Sequence, residues 1–291
     1  MSDRFERSFF LLPATLLILA LSVFPLIFSL GLTFTNFRLL GGNNFQFIGL
    51  TNWVKALTDP NVRYVLQNTI TFVIVGVTLQ YLLGLGLAIL LSHEGAPIRF
   101  FRVSCILPMM ISPIAISYII GRMLFNEAYG PFYDFAHRLG LAPGTWTTSS
   151  GWSMAIIILT DTWQWTPLFT LALLAAIQTI PVDLYEAVRV DGASDWHSFR
   201  YITFPLLMPI SVTLFLIRSV EMFKIVDVVR VVTGGGPGQS TESATLFVYD
   251  TGIKSGNISY AATVAYLLFF LVVLYSTGFL SVLRRVVPTQ E

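Results

Sequence analysis

Residues Leu184–Pro205 read LYEAVRVDGASDWHSFRYITFP, a polar island in an otherwise apolar chain. Pro181, just upstream, suits the first turn of a helix, where its missing N–H would have no partner anyway. Leu184, Ala187 and Val188 recur at i, i+3 and i+4, with Glu186 and Arg189 off that stripe. Gly192 is placed to end the helix in a left-handed conformation. Ser194 is placed to cap a second helix whose first turn holds Asp195. The stretch predicts a short helix, a tight turn and another helix leading into Pro205 and Pro209. A folded elbow between two membrane spans is a surface for a partner.

Outward from the elbow the chain belongs in a bilayer. Its 291 residues are 55% hydrophobic and 11% charged, with a mean hydropathy of +0.73. Nothing is charged between Arg7 and Arg38, Arg63 and Glu94, Arg102 and Arg122, or Lys254 and Arg284. Each run can supply the ~20 apolar residues that a spanning helix needs. Two further spans are expected at about Gly151 to Ala176, interrupted by Asp161, and about Phe204 to Val226, interrupted by Arg218, Glu221 and Lys224. The first apolar stretch is longer than the h-region of a signal peptide and lacks a small-residue cleavage site, so it reads as a retained span. The expectation is an all-α membrane protein with six transmembrane helices. It is one domain over 1–291, with a core of about 66–283, an added first helix at about 9–33 and the elbow loop at about 181–205.

Six spans put both termini on one side. With the termini inside, the inner segments hold Arg4, Arg7, Arg99, Arg102, Arg189, Arg200, Arg284 and Arg285. The outer segments hold a similar number of basic residues over longer loops, so charge density favours termini inside while a raw count does not. A net charge of +1 without a Lys/Arg-rich run gives no sign of nucleic-acid binding. The lone Cys105 cannot form an internal disulfide and reads as a small buried hydrophobe. Pro13, Pro25, Pro108, Pro113 and Pro167 predict kinks near packed or wet regions. Gly84/Ala88 and Ala261/Ala265 are small pairs that let helices approach closely.

The elbow also carries a resemblance. Glu186-Ala187-Val188, then Gly192, Ile202 and Phe204-Pro205, resembles the cytoplasmic EAA loop of binding-protein-dependent ABC importer permeases, with Val188 for the third Ala and Phe204 for Leu. Thr233 to Pro237 is similar to the Thr-Gly-Gly-Gly-Pro segment of the carbohydrate-uptake (maltose/glycerol-phosphate permease-like) branch. The similarity continues through Asp161 to Pro167 and Ile180-Pro181, covering about Asn68 to Tyr275. It implies a type I ABC importer permease fold in the bacterial inner membrane, with both termini cytoplasmic and the EAA coupling helix facing the cytoplasm. It implies that Leu184, Tyr185, Glu186, Ala187, Val188, Arg189, Asp191, Gly192 and Ala193 dock on an ATPase. It further implies a second homologous permease, two ATPase subunits that hold ATP and Mg, and an extracytoplasmic solute-binding protein. The cargo would be a sugar, polyol or glycerol-phosphate-type solute. This chain would hold no cofactor or metal and catalyse nothing.

The residues themselves agree with a conduit. Gly234 to Thr241 superficially resembles a phosphate loop but has no Lys before its hydroxyl residues, and reads as a flexible turn. An intramembrane protease would need a Ser paired with an intramembrane His, whereas His93, His137 and His197 fall in predicted loops. No span carries the repeated cations of a voltage sensor. A stand-alone secondary transporter remains the alternative, since buried charges also serve ion coupling.

Arg218, Glu221, Lys224, Asp227 and Arg230 alternate in sign at every third residue, so each can pair with the next on a helix. Charges at membrane depth face a bundle interior or a watery cavity. Asp161, Gln164 and Trp165 share a helix face, with Trp163 nearly opposite. Polar groups around an aromatic platform suit a polyhydroxyl ligand. Asp161, Trp163, Gln164, Trp165, Arg218, Glu221 and Lys224 are therefore the substrate-path candidates. Asn68 and Gln80 read as interhelical hydrogen bonders, and Trp146 and Trp152 as an interfacial belt.

Overall fold

The structure, a computed structural model, describes residues 11–13, 15–39, 45–92, 96–140, 145–146 and 148–286, the side chains of 96–99 and 282–286 excepted. Arg4, Arg7, His93 and the side chains of Arg99, Arg284 and Arg285 lie outside the described residues, as do positions 9 and 10 of the first expected span.

Helices carry the described chain, and beyond one isolated bridge between Thr35 and Phe47 no strand forms among those residues. In order they are α1 (Leu11–Leu32), α2 (Thr51–Thr58), α3 (Pro60–Leu91), α4 (Phe100–Met110), α5 (Pro113–Leu124), α6 (Pro131–Arg138), α7 (Ser150–Gln178), α8 (Val182–Val190), α9 (Asp195–Met222), α10 (Asp227–Val232), α11 (Ala244–Tyr249) and α12 (Ile258–Val286). Four of them, α1, α3, α9 and α12, are each long and apolar enough to cross a membrane. The count rises to six if the bent pairs α4/α5 and α7/α8 each make one crossing.

The third expected span is not one helix. It breaks at Ile111 and Ser112, both with extended ψ, and α4 and α5 meet at 99°. Pro113 starts α5 where its missing N–H costs nothing, but it could not have served the preceding turn. Pro167, by contrast, sits inside α7 without ending it. Membrane helices absorb such a proline where neighbours satisfy the freed carbonyl.

Two compact units divide the described chain, Met1–Arg63 with Phe247–Phe270 and Tyr64–Leu246 with Leu271–Glu291. In the first, Asn52 Nδ2 donates to Thr33 O and Thr35 O at 2.9 and 2.8 Å, fixing α2 to the end of α1. Tyr260 O–H donates to Asp59 Oδ2 at 2.7 Å while Lys55 lies over its ring. In the second unit, α3 and α7 meet at Gly84. A Cβ there would overlap Phe169 Cβ and stand 3.2 Å from Thr166 O, so the small residue sets the approach.

Three sequence readings change in the second unit. The charge series does not form a continuous ladder, because α9 ends at Met222 and Lys224 falls in the turn that follows. Trp146 is 2% exposed, packed against Phe125, Tyr133 and Trp152, and is a core residue and not a membrane-surface anchor. The segment after α10 is a pinned loop and not a flexible turn. Thr233 and Thr241 share a 2.7 Å hydroxyl bond, Thr241 donates to Gly236 O, and Asn68 Nδ2 donates to Gln239 O and Glu242 O. Gly234, Gly235 and Gly238 supply the positive φ angles that closing such a loop requires.

Candidate functional site

Three helices of the second unit bring Gln80 (α3), Asp161 (α7) and Arg218 (α9) to one buried point. Arg218 Nη2 donates to Asp161 Oδ2 at 2.5 Å, Gln80 Nε2 donates to the same oxygen at 2.7 Å, and Arg218 Nε donates to Gln80 Oε1 at 2.9 Å. The amide thus closes a ring around the ion pair. A buried charge is tolerated when it is paired and its remaining hydrogen bonds are met. Trp165 covers the guanidinium, its ring centroid 4.6 Å away, a cation–π contact that strengthens where water is excluded. Glu221 Oε2 is 3.6 Å from Arg218 Nη1, close enough to be felt as charge and too long for a good hydrogen bond.

The pair forms the floor of a cavity of about 280 Å³. Gln164, Trp165 and Pro113 line its walls, and Glu221, Lys224 and Asp227 bring exposed charges to it. Acceptors, donors and an aromatic face therefore converge on one volume, the composition of a site for a small polar molecule. Six of the sequence candidates meet here: Asp161, Gln164, Trp165, Arg218, Glu221 and Lys224. Trp163, on the opposite face of α7 and 44% exposed, is not among the lining residues. Met222 lines the cavity without having been singled out, and Pro113, read from the sequence only as a kink, is part of its wall. Among the described residues no group of three or more His, Cys, Asp or Glu could hold a metal ion.

Both helices bearing the ion pair run to the elbow. α8 follows α7 at an angle of 71°. Gly192 has φ +78°, Ala193 N–H donates to Val188 O and Gly192 N–H to Arg189 O, the paired bonds of a Schellman turn. Tyr185 O–H and Thr203 Oγ1 lie 2.9 Å apart and tie α8 to the start of α9. Two details differ from the sequence reading. The partly buried face of α8 carries Tyr185 and Val188, leaving Leu184 and Ala187 on the exposed side with Glu186 and Arg189. Ser194 has the extended backbone of a capping residue, but its hydroxyl pairs with His197 Nδ1 at 2.7 Å. Asp191 and Gly192 are exposed, Ala193 is half-buried, and Val190 is 87% exposed.

Residues 80–285 match the family model described as "binding-protein-dependent transport system inner membrane component". The trehalose/maltose transport system permease protein of Thermococcus litoralis is 33% identical, over 82% of this chain and 80% of its own length. The sulfoquinovosyl glycerol transport system permease protein of Agrobacterium fabrum is 30% identical, over 98% and 92%. In fold, the chain is similar to one in the crystal structure of a bacterial alginate ABC transporter in complex with alginate pentasaccharide-bound periplasmic protein. There the TM-score is 0.84 at 18% identity, covering 99% of this chain and 98% of that one.

Proposed function

The chain belongs to the family of binding-protein-dependent transport system inner membrane components, and from that premise we propose that it forms half of the translocation path of an ATP-driven importer for a carbohydrate or related polyol. The other half is a second, homologous permease. A solute-binding protein delivers the cargo from outside, and two ATPase subunits, which hold ATP and Mg, dock on the elbow at α8. This chain performs no catalysis. Both of its termini face the cytoplasm, and 1–291 acts as one permease domain.

The observation that carries this reading is the shared route of α7 and α9. Asp161 is 17 residues from the end of α7 and Arg218 is 23 from the start of α9, about 25 Å and about 35 Å of helix. Each helix is continuous over that distance, so a push on the elbow reaches both sides of the ion pair. Arg218, Asp161, Trp165 and Glu221 would then hold the solute where the ATPase state is felt. The sugar and glycoside cargoes named for the relatives fit the mixed donors, acceptors and aromatic face of the cavity.

Purified with its cognate subunits, the importer carrying Glu221→Gln or Trp165→Ala should lose uptake or change its sugar preference. The binding protein should still stimulate ATP hydrolysis. Wild-type uptake of every sugar by both variants would make the cavity a structural feature.

A further inference from the structure

Gln164 stands where the cavity meets the broken third span. It is 1% exposed, and its Nε2 donates to Ile111 O at 3.1 Å. That carbonyl belongs to the break itself. In a continuous helix Ile111 O would accept from the N–H four residues on, at Ala115. With Ile111 and Ser112 extended, the amide of Gln164 takes that place. The other end of the same amide is unmet. Gln164 Oε1 is buried and has no hydrogen-bond partner among the described residues. Buried polar atoms are rarely left so, and each exception calls for a reason.

We propose that Gln164 is a specificity-determining and coupling residue: its Oε1 accepts a hydrogen bond from a solute hydroxyl in the Arg218 cavity, and this contact competes with its grip on Ile111 O. The inference rests on the reading that the cavity holds a polyhydroxylated solute. Gln164 and Pro113 both line that cavity, so the break is part of its wall. Oε1 is covered in this structure. A hydroxyl can meet it only if the amide turns, and turning withdraws Nε2 from Ile111 O. The freed carbonyl then needs another donor, and because Pro113 bars a regular helical turn across the break, it can find one only if the break rearranges. Occupancy of the cavity therefore changes the 99° angle between α4 and α5. A neutral carbonyl oxygen selects a donor, so a hydroxyl or N–H is favoured at this wall. A carboxylate or phosphate oxygen is favoured instead near the cationic side chains of Arg218 and Lys224.

The test uses the assembled importer with its partner subunits in nanodiscs, in a Cys105→Ser background. Spin labels go on Val103→Cys in α4 and Met123→Cys in α5, both exposed positions. Radiolabelled trehalose, maltose and lactose serve as probes for retention and for the label-to-label distance. A retained sugar should shift the distance in the wild type. Gln164→Leu should weaken retention about tenfold, the worth of one hydrogen bond, and abolish the sugar-dependent shift. Gln164→Glu keeps an acceptor but loses the donor to Ile111, so it should retain sugar and show the shifted distance without it. A sugar retained with no shift in the wild type, or an equal shift in Gln164→Leu, would overturn the coupling while leaving the cavity's assignment intact. Retention of no probe by the wild type would overturn both.

Discussion

Arg218 Nη2 lies 2.5 Å from Asp161 Oδ2, and the two residues stand on separate helices that both lead to the elbow. One ion pair thus joins the two elements that a movement at α8 would displace. Both side chains are buried, so the pair cannot be opened to water without cost. Its stability and its position are two consequences of the same geometry.

Breaking that pair from one side should be far worse than replacing both partners. Arg218→Met or Asp161→Leu alone leaves an uncompensated buried charge, a loss of about 3–5 kcal/mol. The double variant Asp161→Leu/Arg218→Met removes both charges and should recover much of that loss while failing to transport. Thermal unfolding of the purified complex gives the stabilities, and uptake assays give the function. Equal destabilisation by the single and double variants would contradict the buried-pair account.

The approach of α3 to α7 depends on Gly84 but not on Gly86. A methyl group on Gly84 would overlap Phe169, whereas a Cβ on Gly86 meets nothing within 4 Å. Gly84→Ala should therefore cost about 1–3 kcal/mol through overpacking. Gly86→Ala should be neutral or stabilising by up to about 1 kcal/mol from helix propensity. Melting temperatures of the two variants, measured side by side, decide this.

Gly192 has open space around it within this chain and a φ of +78°, so the effect of a substitution there on the elbow's own fold is conformational. A β-branched side chain penalises the left-handed turn by about 1 kcal/mol or more. Gly192→Val combined with Glu186→Ala should lower uptake while the chain still reaches the membrane fraction. Normal uptake by that double variant would remove the elbow from the coupling path.

The ends of α7 should lie on opposite sides of the membrane. The helix has 29 residues, about 43 Å of rise, which exceeds the hydrocarbon thickness of a bilayer. Thr148 lies just before the helix and Ser194 in the elbow beyond its other end, and both are exposed. In a Cys105→Ser background, Thr148→Cys should react with impermeant thiol reagents in intact cells, and Ser194→Cys only after the membrane is opened. The reverse pattern would leave the elbow out of reach of a cytoplasmic ATPase.

The parts of this molecule set by local chemistry were legible in its sequence. Pro181, Gly192 and the spacing between them fix a helix, a left-handed stop and a turn, and those need no information from elsewhere in the chain. Periodicity also placed Asp161, Gln164 and Trp165 on one side of a helix. What stayed hidden depends on which faces meet. Gln80 was legible as an interhelical hydrogen bonder, but its partners, Asp161 and Arg218, were not. The stripe on α8 was misassigned because Tyr185, with its hydroxyl on Thr203, outweighs Leu184 in choosing the inward face. The charge series looked continuous because sequence spacing does not reveal that α9 stops at Met222. Prolines 108 and 113 signalled a kink but gave no hint that it reaches 99°.

The central claim, that the chain is a passive half-channel driven by ATP from below, is tested most directly by reconstituted uptake. Proteoliposomes are prepared with this chain alone and with the full complement of second permease, ATPases and binding protein. Uptake of radiolabelled trehalose, maltose and lactose is then followed with ATP inside or with an imposed proton or sodium gradient. The account predicts sugar accumulation only with all partners and ATP, and none with the gradient alone. Gradient-driven uptake by the chain on its own would contradict it and make the buried charges those of a secondary transporter.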